Sequence, residues 1–137
     1  MRNFILLMSI LLTTTTVKAE GLNANASYIK NNYPTEYEQT LKKQALQKWN
    51  DDYEMVVYMI NNQADDLIKL IAGFKSDNTN IVFKAIQKWS IDGYKYSNVE
   101  KFKNITTFEL KQLIPLHCDW EMVKYEYDNQ VKAKNSF

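Results

Sequence analysis

Cysteine occurs once in the 137 residues, proline twice, glycine three times and histidine once. Each scarcity excludes something. A single thiol, Cys118, cannot close an intramolecular disulfide, so the fold has to stand on packing. The shortage of glycine and proline disfavours a turn-rich sandwich or barrel. One histidine leaves no second imidazole for a zinc set or a relay. Arginine occurs only at position 2. Arginine is the preferred fork for phosphate and carboxylate, so a chain without it is poorly suited to reading nucleic acid. There is no glycine-rich phosphate loop, serine elbow or paired-cysteine motif.

The first residues name a compartment. Arg2 precedes a short apolar core, Phe4 to Leu12, which a polar Thr13–Thr16 run ends. Val17-Lys18-Ala19 places small residues three and one positions before a cut, so 1–19 reads as a cleaved secretory signal peptide and Glu20 as the mature start. The apolar run is too short for a membrane span, and nothing later is long enough. Removing Arg2 and Lys18 from the 17 basic residues leaves 15 against 16 acids, a net charge of −1. The expectation is an exported chain, periplasmic or secreted, that does not span the membrane once mature.

Helical spacing dominates the rest. Residues 20–34 are polar and aperiodic and read as a loosely ordered lead-in. From Pro34, Thr35 and Glu38 form a capping-box pattern, followed by Leu41, Ala45, Leu46 and Trp49 at helical intervals. Asn50-Asp51-Asp52 interrupts this pattern. The favoured reading is one continuous helix, kinked there, that runs on to Gly73; a second start on Asp51 and Glu54 is the alternative. Ser76–Asn80 reads as a turn. Ile81 to Trp89 makes a helix ending near Gly93, Ser97-Asn98-Val99-Glu100 opens a short one, and Thr106 with Glu109 opens another. Pro115 bends or restarts the chain, and a last helix spans about Leu116 to Lys132, with 133–137 frayed. The fold class is all-α, one compact bundle of four to six helices with its helical domain over 35–132.

Two echoes stand out. Tyr-Glu-Met-Val-Val-Tyr-Met-Ile-Asn-Asn-Gln (53–63) resembles Trp-Glu-Met-Val-Lys-Tyr-Glu-Tyr-Asp-Asn-Gln (120–130), and Ala-Leu-Gln-Lys-Trp (45–49) resembles Ala-Ile-Gln-Lys-Trp (85–89). Their offsets disagree, 67 against 40, whereas a tandem duplication gives one offset. They read as similar helices built twice, with Trp49, Trp89, Trp120 and neighbouring tyrosines supplying the core.

The reactive-looking cluster is His117-Cys118-Asp119-Trp120-Glu121. Adjacent helical side chains point about 100° apart, so His117 does not naturally activate Cys118. The lone thiol reads as a packed, structural cysteine, and a bridge from it to a second chain ranks above catalysis. His117 and Glu121 are spaced i, i+4, but a zinc site needs a third or fourth ligand. No metal or cofactor is expected. The carboxylates Asp51, Asp52 and Glu54, and then Asp65 and Asp66, invite a glycan-cleaving reading, though helix capping also accounts for Asp51 and Glu54. Nine tyrosines are many for one domain. Tyr94 and Tyr96, in Gly93-Tyr94-Lys95-Tyr96-Ser97 between helices, are the preferred exposed binding candidates.

The reading is an exported helical domain that binds a protein partner and catalyses nothing. In format, though not in motif, it is similar to the immunity proteins that neutralise cell-wall-targeting toxins. Two rival readings stand beside it: a small helical peptidoglycan-active enzyme working through Glu54 or Asp52, and a chaperone-like or structural envelope protein.

Overall fold

The computed structural model describes residues 21–73, 78–90 and 109–137. These are mostly helical and form no strand; an isolated antiparallel bridge joins Ser90 to Cys118. The all-α class is therefore correct. The signal peptide, the mature start, Tyr94, Tyr96 and the Ser97 helix lie outside the described residues.

The chain enters through α1 (Ala24–Asn32). This corrects the expectation of a loose lead-in. Only Ala26 and Ile29 of this helix are buried, too few to print a periodic stripe on the sequence. Polar contacts fix it instead. The Asn23 side chain accepts a hydrogen bond from the Ala26 N–H at 2.9 Å and so caps the first turn.

Next come α2 (Pro34–Glu36), a π-helical segment (Tyr37–Lys42) and α3 (Lys43–Trp49). Pro34 starts α2 from within its first turn, where a missing N–H costs nothing. The expected Thr35 cap is absent: Tyr33 is the capping residue and no side chain bonds there. The wider π turn carries Tyr37, Thr40 and Leu41 into the core. Burial raises the Tyr37 pKa, with a smaller push from Glu38.

The favoured continuous helix breaks at Asn50, which adopts φ 53, in the left-handed region. Asparagine tolerates that conformation better than most residues. A new helix, α4 (Tyr53–Gly73), follows. Its first turn is capped by Asp52, whose Oδ1 accepts from the Met55 N–H at 3.3 Å, rather than by Asp51 with Glu54. Along α4 the buried positions Val56, Ile60, Gln63, Ala64, Leu67 and Leu70 form one stripe at helical spacing.

α5 (Thr79–Lys88) stops before the expected Gly93, because the Trp89 carbonyl accepts from the Asp119 N–H and Ser90 pairs with Cys118. α6 (Leu110–Leu113) is capped by Glu109, which forms a reciprocal box with Gln112. The chain then turns past Pro115, and α7 (Trp120–Asn135) begins four residues later than the expected Leu116. Asp119 caps α7 through the Met122 N–H at 3.3 Å. The expected fraying from 133 also gives way to helix, since α7 continues through Asn135 with Lys132 and Lys134 in its last turn, where cations favour the helix dipole. α7 packs against both α4 and α5, while α1 and α3 also pack against α4.

Candidate functional site

The buried stripes decide what each helix leaves outside. On α4, Val56 and Ile60 point into the core; on α7, Val123 and Tyr127 do the same. A residue two positions after Val56 or Val123 lies about 200° around the helix, on the opposite face. Tyr58 and Tyr125 occupy those positions and are 60% and 61% exposed. The echoed stretches thus share a phase, inward at the valine and outward at the tyrosine. Tyr53, at 67%, and Tyr28, at 50%, add further exposed rings on α4 and α1.

This reverses one part of the expectation. The echo predicts that tyrosines near the tryptophans sit in the core; Tyr127 does, whereas Tyr58 and Tyr125 face out. Trp120 is fully buried, whereas Trp49 and Trp89 are only partly buried and pack on the core's margin. The second echo explains their likeness. In both copies the alanine (Ala45, Ala85) is buried, and the lysine Nζ sits 5.7 Å from the ring centroid of the following tryptophan. This is one way of closing a helix end, used twice.

The cluster around Cys118 is not a nucleophile site. Cys118 is wholly buried, with Sγ 3.9 Å from both the Ser90 Oγ and the Ile86 carbonyl oxygen. Burial pushes its pKa up to about 12, against a smaller opposing effect of the Ser90 hydroxyl, so the thiol stays protonated and inert. Its burial agrees with the packed reading and leaves no exposed thiol for a bridge to a second chain. His117 lies before the start of α7, so His117 and Glu121 do not share a helix face. Among the described residues no group of three or more His, Cys, Asp or Glu side chains is arranged to hold a metal.

Most acidic candidates have structural partners. Asp52 caps α4, and Asp51 and Glu54 are exposed. Asp65 accepts from the Asn23 Nδ2 at 3.0 and 3.1 Å and from the Asn25 Nδ2 at 2.9 Å. One turn back, Asn61 Oδ1 accepts from the Asn23 N–H at 2.9 Å, and Asn61 Nδ2 donates to the Gly21 carbonyl at 3.3 Å. Together Asn61 and Asp65 clamp residues 21–25 to α4.

Asp66 and Glu121 behave differently. Partial burial raises both carboxyl pKa values. At Glu121 the charges of Asp119 and Asp66 push the same way, against the Gln63 side chain and Lys48. At Asp66, Lys69 and Lys124 oppose the shift while Asp65 and Asp128 add to it. Comparison with known protein families, characterised proteins and solved structures finds no match.

Proposed function

We propose that this is an exported helical domain, periplasmic in a bacterium, that binds another protein and catalyses nothing. Its role in this reading is to inhibit an envelope-targeting enzyme or toxin, as an immunity protein does. The observation that carries the reading is the outward placement of Tyr58 and Tyr125 on two helices that pack against each other. Tyrosine on a rigid helix offers a large contact area at low entropic cost, which is the character of interface anchors. The inert state of Cys118 supports the same reading.

The test places a photo-crosslinking residue at position 58 or 125 of the exported chain, with position 43 as an exposed control on α3. One saturable adduct from 58 and 125, absent from 43, supports the proposal. Tyr58→Ala with Tyr125→Ala should then weaken binding of the purified partner at least tenfold without lowering Tm. Equal, unsaturable labelling from all three positions would overturn it.

Asp66 and Glu121, two carboxyls whose pKa values partial burial raises where α4 meets the start of α7, favour a second reading, a glycan hydrolase in which one of them is the general acid. That reading moves the chemistry away from Glu54 and Asp52. Cleavage of purified cell wall, abolished by Glu121→Gln in a folded protein, would establish it in place of the first.

A further inference from the structure

We draw no further inference here: the strongest candidate, the acidic cluster of Asp66, Asp119 and Glu121 where α4 meets the start of α7, carries nothing because it belongs to the site already described.

Discussion

Gln63 of α4 holds the first residue of α7, its Oε1 accepting from the Trp120 N–H at 2.6 Å while its Nε2 donates to Asp119 Oδ1 at 3.0 Å. Gln63 is 4% exposed, so water does not replace these bonds. The same Asp119 oxygen caps the helix. One buried amide therefore connects the middle of the longest described helix to the N-terminus of the last. Gln63→Ala is expected to destabilise by about 2–3 kcal/mol, because a buried backbone donor loses its acceptor. Gln63→Glu sets a carboxylate against Asp119 and should cost at least as much at neutral pH. Chemical denaturation at pH 7 checks both, and a wild-type midpoint for Gln63→Ala would refute the role.

Trp120 separates ring burial from hydrogen bonding. Its Nε1 is buried and has no hydrogen-bond partner among the described residues. Trp120→Ala should therefore cost about 3–5 kcal/mol through the cavity. Trp120→Phe removes an unsatisfied donor along with some volume, and its cost should be well below that of the alanine variant. Trp49→Ala and Trp89→Ala, at half-buried sites, should cost about half as much as Trp120→Ala. Thermal melts of the four variants rank them directly.

The clamp at Asp65 predicts a local effect. Asp65→Ala strands the side-chain amides of Asn23 and Asn25 and should cost about 1–3 kcal/mol. Hydrogen exchange should accelerate first at the N–H groups of α1, while those of α7 keep their protection. Uniform acceleration across both helices would show that residues 21–25 are not a separate latch.

The pH dependence has a defined sign. Asp66 and Glu121 have raised carboxyl pKa values in the folded state, so the folded protein binds protons more readily than the unfolded chain. Their contribution favours folding at acid pH and is lost as pH rises through the raised values. The window lies above the ordinary carboxyl values of about 4. Glu126 acts the other way. The Lys88 and then the Gln130 hydrogen bonds lower its pKa, so its contribution is lost only below the ordinary glutamate value. As pH falls from neutral toward the ordinary carboxyl values, these two groups should raise the melting temperature, an effect smaller in Asp66→Asn with Glu121→Gln. A wild-type curve that the double variant reproduces would remove these two groups as the cause.

Cys118 should resist alkylation at pH 8 in the folded protein and react at the free-thiol rate once unfolded, since it is fully buried and protonated. Cys118→Ser, which puts a hydroxyl beside Ser90 and the Ile86 carbonyl, should cost about 1–3 kcal/mol and leave partner binding intact. Fast labelling of the native protein would instead indicate an opening at the α5–α7 contact.

The local sequence determined the helical class, which follows from apolar spacing within a few residues of chain. It marked an interruption at Asn50-Asp51-Asp52 but favoured one helix across it, where the structure has two. It misjudged α1, because a helix with two buried side chains carries almost no periodic signal and rests on Asn61 and Asp65 about forty positions away. The outward tyrosines were legible in principle: Val56, Ile60, Val123 and Tyr127 already set the phase that turns Tyr58 and Tyr125 to solvent. What spacing could not supply was which of several apolar stripes each helix buries. Packing of α7 against α4 and α5 decided that, seating Trp120 in the core and leaving Trp49 and Trp89 at its margin. The same packing sealed Cys118 and brought Glu121 beside Asp66, since a carboxyl or thiol takes its chemistry from neighbours that only the folded chain assembles.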